Sequence, residues 1–196
     1  MTFYDFAKAI VQPLTGALFA VTATGYENVP ATGPIIVAAN HRSYLDPPLL
    51  ASWFPRPVHW MAKEELFRIP VLGTLIRWCN AFPVTRGEGD IGSIRRALRI
   101  LKEGGVVGIF PEGTRNIAGD VEPKSGAVLL ASMAHCPVVP VGLSRTATAT
   151  RRLRGSHVEM RIGVPLTFQG SARRATKAEL DEWTDELSES IDELTD

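Results

Sequence analysis

The stretch PIIVAANHRSYLDPP, residues 34–48, decides the fold. Its first six residues form a short apolar run, which suits a strand buried on both faces of a parallel sheet. The remainder holds His41 and Asp46, five places apart, with Ser43 between them and two prolines behind. Five steps of a regular helix turn through about 500°, a net of about 140°, so two such side chains diverge unless the chain changes direction. Ser43 and Asp46 make the S-x-x-D pattern of a helix start, which places the N-cap at Ser43 and His41 in the preceding turn. Pro47 and Pro48 suit a helix beginning rather than an interior. From a first helical turn a carboxylate can reach back to the imidazole Nδ1–H, fix the tautomer and leave Nε2 as a base. Spacing alone leaves a capped helix with a surface His equally open.

Outward from this stretch, short apolar runs alternate with helical patterns, as in α/β proteins. Strands are predicted at 34–39, 58–62, 81–84, 106–111, 137–143 and 157–163, with helices near 44–54, 70–79, 90–103, 125–134 and 176–194. The last helix opens on Thr176 and Glu179, a capping-box pair, and carries the stripe Leu180, Trp183, Leu187, Ile191 and Leu194, read as core packing. The expected fold is a single α/β domain with a central, mostly parallel or mixed sheet flanked by helices. No repeat or linker divides residues 26–196. Ahead of them, residues 1–25 form an amphipathic helix.

Polar motifs follow two of the predicted strands. In open α/β sheets, sites collect beyond the carboxyl ends of strands, so His41 and the segment FPEGTR (residues 110–115) belong to one candidate site. Its Pro-x-Gly turn presents Glu112, Thr114 and Arg115, the last a planar fork suited to phosphate or carboxylate. The lack of a GK[ST] tripeptide separates it from a nucleotide P-loop. Lys63 and Arg86 stand after two more strands and could join Arg115 in one anion pocket. GEGDIG (residues 87–92) matches G-x-G-x-x-G only as a pattern: Glu88 and Asp90 would repel a pyrophosphate, and Asp90 reads better as a helix N-cap.

Composition excludes several classes. Apolar residues make up 45% and charged residues 21%, ordinary for a globular protein. Cys79 and Cys136 form no C-x-x-C, which argues against a disulfide framework and suits buried, inert thiols. His59, His135 and His157 make no H-x-x-H, so no metal site is expected. Net charge is zero by cancellation: nine of the 21 acidic residues fall in 179–196, leaving 12 against 21 Lys and Arg in the rest. A basic body suggests anionic partners such as phosphates or lipid headgroups. The basic segment 144–156 lacks aromatic interleaving, so nucleic acid is not an expected partner. No apolar run reaches transmembrane length. Phe3, Phe6, Ala7, Ile10, Leu14, Ala17, Leu18 and Val21 make one helical apolar face, which could dock on the protein's own core or lie in a bilayer interface.

These segments together resemble the glycerolipid (lysophosphatidic acid, PlsC-type) acyltransferases. NHRSYLD is similar to their HX4D box, MAKEELFRIPVLGTLIRWCNAFPVTR to the second block ending at Arg86, FPEGTR to the third and VVPVGL to the fourth, covering about residues 30–145. The resemblance implies acyl transfer from acyl-CoA or acyl carrier protein to a glycerophosphate hydroxyl, with lysophosphatidate as acceptor and phosphatidate as product. Glycerol 3-phosphate or another lysophospholipid is the alternative acceptor, and an acyl-carrier- or lipid-binding module the non-enzymatic one. It makes His41 the general base and Asp46 its orienting partner. It associates Arg86, Glu112, Gly113, Thr114 and Arg115, with Lys63 nearby, with the acceptor phosphate. No cofactor is implied, and the expected location is peripheral, on the cytoplasmic face of the membrane, or cytoplasmic. A thioesterase-like reading with Ser43 as nucleophile needs neighbours on a tight turn to align. The chain departs from the family in its short N-terminal segment, which leaves little room for a two-helix anchor. It also departs at EPKSG (residues 122–126), which keeps Lys124 and Gly126 without the usual Phe.

Overall fold

The structure, a computed structural model, describes residues 2–85, 90–116, 121–149, 156–168 and 175–195. The chain opens with a helix, α1 (Phe3–Phe19), a three-residue strand, β1 (Thr22–Thr24), and then β2 (Ile35–Ala39). There follow α2 (Asp46–Trp53), β3 (Val58–Lys63), α3 (Leu72–Trp78), β4 (Phe82–Val84), α4 (Ile91–Lys102) and β5 (Val106–Ile109). The last third holds α5 (Gly126–Ala134), β6 (Val138–Ser144), the single turn α6 (Thr146–Ala149), β7 (Glu159–Ile162) and α7 (Lys177–Glu193). The seven strands make one sheet in the order β1-β7-β6-β2-β5-β3-β4. Every pairing is parallel except that of β6 with β7. The expected single α/β domain with a mixed, mostly parallel sheet is what forms.

The IIVAA run of β2 explains its central place, since all five residues are 0% exposed. Ile36 and Ala38 face a cluster with Val107, Ala97, Leu101, Val128, Leu187 and Ile191, contributed largely by α4, α5 and α7. Ile35, Val37 and Ala39 face the opposite cluster with Leu50, Phe54, Val58 and Met160. Each fully buried Ile or Val adds about 1.5–3 kcal/mol, enough to hold β2 between its two layers. The stripe of α7 packs as its spacing predicts, with Leu187 and Ile191 buried and Leu180 and Trp183 against them.

At the N-terminus, Thr2 and Asp5 form a capping box, and α1 continues through Pro13. It packs on α2 with its mixed face. The Tyr4 hydroxyl donates to Ala51 O at 2.8 Å, Lys8 Nζ donates to Phe54 O, and Trp53 Nε1 donates to the Thr15 hydroxyl at 3.0 Å. Phe3, Phe6, Ile10, Leu14 and Leu18 are left exposed on the other side. The Phe3 ring meets Trp78 of α3 at 4.8 Å, where Val71, Leu72 and Leu75 are exposed as well. Among the described residues no helix is long and apolar enough to cross a membrane. Strand β1 and the helical turn α6, the latter inside the expected basic loop, carry too few residues for a periodic signal.

Candidate active site

The turn after β2 departs from the expected cap. Ser43 is not the N-cap: α2 starts at Asp46, and the preceding Leu45 is already helical in backbone and makes no capping bond. Capping runs the other way, from the helix back into the turn. One oxygen of Asp46, Oδ2, accepts the Arg42 N–H at 2.7 Å, the Ser43 N–H at 2.6 Å and His41 Nδ1 at 2.9 Å. Ser43 is buried and its hydroxyl accepts the Leu45 N–H at 3.2 Å, a local turn bond with no link to the imidazole. The change of direction required by a five-residue spacing is therefore made by the Asp46 carboxylate. The Asp46 side chain is 0% exposed and that of His41 17%, so the imidazole reaches solvent while its partner does not.

His41 is fixed from a second direction by the segment after β5. The β2–β5 register pairs Ala38 with Ile109, and three residues further along both strands stand His41 and Glu112. Glu112 Oε2 accepts the His41 N–H at 2.7 Å, and the Asn116 N–H donates to His41 O at 2.6 Å. Asn116 Nδ2 also approaches Glu112 Oε1 at 3.4 Å. Burial pushes the Glu112 carboxyl above its ordinary value, against the opposing pull of the His41 N–H and the Asn116 amide. The imidazole stacks on Phe110 at 4.3 Å, and Phe110 on Trp60 at 5.1 Å. Trp60 lies so close over Gly108 that a β-carbon there would meet its ring at 2.5 Å. On the other flank the Asn40 amide pairs with both backbone groups of Leu143, at 2.9 and 2.7 Å, tying this end of β2 to β6.

Arg115 lies over the exposed Tyr44 ring, its guanidinium carbon 3.6 Å from the centroid, which joins the two motifs at the mouth of the site. Gly113 sits at φ +65°, a left-handed turn that favours glycine, and its N–H donates to Phe110 O. Thr114 is exposed beside it. Lys63 ends β3 at the same edge of the sheet, but its ammonium is paired with Glu65 at 3.1 Å. Arg86 lies outside the described residues. Asp90 is the N-cap expected of it, with Oδ1 accepting Ser93 N–H at 2.9 Å.

Glu112 is turned towards the His41 backbone rather than outwards, a placement the FPEGTR pattern does not reveal. Asn116, Asn40 and the Trp60–Phe110 stack were not singled out by sequence reasoning. Asn116 directly follows FPEGTR, and Phe110 opens it, so adjacency to the motif was the available signal. Lys124 comes back to this turn, its N–H donating to Pro111 O at 2.9 Å and its side chain lying beside Gly113.

A mixed, mostly parallel α/β sheet thus carries a His–Asp pair and an arginine-bearing loop at neighbouring strand ends, an arrangement suited to a proton-transferring enzyme that binds an anionic substrate. The chain belongs to the Acyltransferase family, whose match covers residues 20–144, well over half of its length. It is 32% identical over 192 residues to the 1-acyl-sn-glycerol-3-phosphate acyltransferase of Bacillus subtilis, covering 97% of this chain and 96% of that protein. The protein of the same name from Borreliella burgdorferi is 33% identical over 129 residues, 64% of this chain and 52% of its own length. The chain thus spans nearly all of the first relative and about half of the second. Among solved structures, PlsC of Thermotoga maritima, a 1-acyl-sn-glycerophosphate acyltransferase, superposes with a TM-score of 0.76 at 27% identity, over 97% of this chain and 79% of that one.

Proposed function

We propose that the protein acylates the free hydroxyl of lysophosphatidate with a fatty acyl group from acyl-CoA or acyl carrier protein, giving phosphatidate. The observation that carries this is the 2.9 Å contact between His41 Nδ1 and the buried Asp46 carboxylate, which leaves Nε2 as the imidazole's free nitrogen. His41 takes the hydroxyl proton as the oxygen attacks the thioester carbonyl. The tetrahedral adduct collapses with cleavage of the C–S bond, and the proton passes from the imidazolium to the departing thiolate. A thioester is already activated, so the catalytic demand falls on deprotonating the alcohol, where a placed base contributes about 10²–10⁴-fold. Asp46 holds the tautomer and stabilises the imidazolium. Arg115, Arg86, Lys63 and Thr114 take the acceptor phosphate, Gly113 shapes the turn that presents them, and Glu112, bonded to the His41 backbone, sets the base against that phosphate site. The names of the relatives support lysophosphatidate as acceptor.

The test is an acceptor panel of lysophosphatidate, glycerol 3-phosphate and lysophosphatidylcholine with one labelled acyl-CoA, scored by product mass. The native protein is expected to favour lysophosphatidate, and His41→Ala to lose at least about 10² of that rate with its fold intact. A fully active His41→Ala variant refutes the assignment.

The acceptor and product are membrane lipids, and the exposed face of α1 with α3 is the surface that meets them. Phe6, Ile10 and Leu14, about half exposed each, and Trp78 insert into the interface of the cytoplasmic leaflet while the sheet edge stays above it. Phe6→Ser/Ile10→Ser/Leu14→Ser is expected to move most of the protein off phosphatidate-containing vesicles in flotation. Unchanged flotation would remove α1 from the contact.

A further inference from the structure

The anion-binding groups proposed for the acceptor lie on the β5, β3 and β4 side of His41. A second cleft, of about 320 Å³, opens on the other side, where β6 ends and β7 begins. Arg42, the residue after the base, lines it with Ser144, Arg145, Thr146, Glu159 and Arg161. Three arginines line it with one carboxylate, and two of them, Arg145 and Arg161, are paired with that carboxylate. Glu159 Oε2 holds Arg161 at 2.7 Å, and Oε1 stands 3.8 Å from Arg145, which keeps both forks at the wall without matching, among the described residues, the cluster's positive charge. His157 approaches the same carboxylate at 3.6 Å. The Thr146 hydroxyl is buried in this wall with no hydrogen-bond partner among the described residues. A cleft of this charge attracts a phosphate ester, and arginine forks are the side chains that grip one.

A two-substrate transfer at one imidazole needs the donor on the side the acceptor leaves open. We infer that this cleft binds the phosphate-bearing carrier of the acyl thioester, the phosphopantetheine arm shared by acyl-CoA and acyl carrier protein. The inference rests on the acyl-transfer reading above. Arg42, Arg145 and Arg161 hold the donor's phosphate, and the thioester end of the arm extends past Arg42 to His41. Acceptor and donor phosphates are thereby kept on opposite sides of the base, which prevents either substrate from occupying the other's place.

The test uses the full chain with palmitoyl thioesters of pantetheine, 4′-phosphopantetheine, CoA and acyl carrier protein at saturating lysophosphatidate. The native protein is expected to prefer the phosphate-bearing donors over palmitoyl-pantetheine by about tenfold or more in kcat/KM. Arg145→Gln/Arg161→Gln is expected to lose that preference while the KM for lysophosphatidate stays unchanged. A preference appearing at 4′-phosphopantetheine locates the recognised group on the shared arm. One appearing only at CoA locates it on the nucleotide and overturns recognition of the shared arm. Equal use of all four donors by the native protein overturns the inference, as does a double variant whose acceptor KM rises as much as its donor KM. Should the double variant fail to fold, Arg42→Gln, on an exposed side chain, carries the same comparison. A native protein that transfers no acyl group from any thioester refutes the acyl-transfer reading itself, whereas an active one indifferent to the phosphate refutes only the cleft.

Discussion

Two turns on the same edge of the sheet are built from the same parts and end differently. After β2, His41 is followed five residues later by Asp46 at the start of α2; after β4, Thr85 is followed five residues later by Asp90 at the start of α4. Asp90 is the N-cap proper, with one oxygen taking the Ser93 N–H and the other the Thr85 N–H at 2.7 Å. Asp46 lies one position further in, at the first helical residue, and gathers three donors on a single oxygen. Its other oxygen, Oδ1, is buried with no hydrogen-bond partner among the described residues. Both carboxylates close a strand-to-helix turn. Among the described residues only Asp46 also holds an imidazole, and its turn is clamped by neighbouring segments through Glu112, Asn116 and Asn40, whereas Thr85 is tied to Glu64 by its hydroxyl at 3.0 Å. An aspartate at a helix start is a structural device by default, and the catalytic role proposed for Asp46 rests on the imidazole that its turn carries and that other elements immobilise.

The largest expected effect breaks this comparison at Asp46. In Asp46→Asn the amide still accepts the Arg42 and Ser43 N–H groups through its oxygen, so the turn survives. The same oxygen still faces Nδ1, but the amide carries no negative charge to stabilise the imidazolium, and its NH₂ is buried where Oδ1 stood. The expected outcome is a kcat about 10²–10⁴-fold lower, with the KM for the acceptor little changed, measured by steady-state acylation kinetics. Activity close to native would reduce Asp46 to the role of Asp90.

The sequence carried the frame of this site but not its wiring. The apolar run of β2 and the order of the motifs were enough to bring His41 and FPEGTR to adjacent strand ends, because sites in such sheets follow from strand order. The His–Asp contact was readable for the same reason: a change of direction was required, and a helix start was present to provide it. The S-x-x-D pattern points to Ser43 as the cap because it does not say which partner reaches for which, and the structure reverses the direction. A carboxylate that bonds two turn N–H groups and an imidazole makes more contacts than a serine hydroxyl can, and Pro47 and Pro48 set the helix start at Asp46. Glu112 was read as part of a phosphate loop. Its inward turn depends on the β2–β5 register, a long-range pairing with no local mark. The stack of His41, Phe110 and Trp60 likewise depends on Gly108 leaving room across a strand pair.

The smallest expected effect sharpens the comparison at Asp90, where the N–H groups of Ser93 and then Thr85 hold the carboxyl below its ordinary value of 3.8. A depressed carboxyl stabilises the fold fully above its unfolded value, and that stability is lost as pH falls through the folded one. Asp90→Ala removes the cap and is expected to cost about 1 kcal/mol at neutral pH, a fall of about 2–4 °C in Tm for a chain of this size, with kcat unchanged. Asp90→Asn keeps a capping oxygen that does not titrate. It should therefore lie close to the native Tm at neutral pH and lose less than the native protein between about pH 5 and 3. Thermal melts of the three proteins across that range read both effects. If Asp90→Ala also lowered kcat by orders of magnitude, the turn after β4 would be part of the catalytic apparatus, and the contrast with Asp46 would fail. If kcat holds while Tm falls, the two aspartates divide as their contacts divide them: one spends its hydrogen bonds on a helix and a strand end, the other on the base.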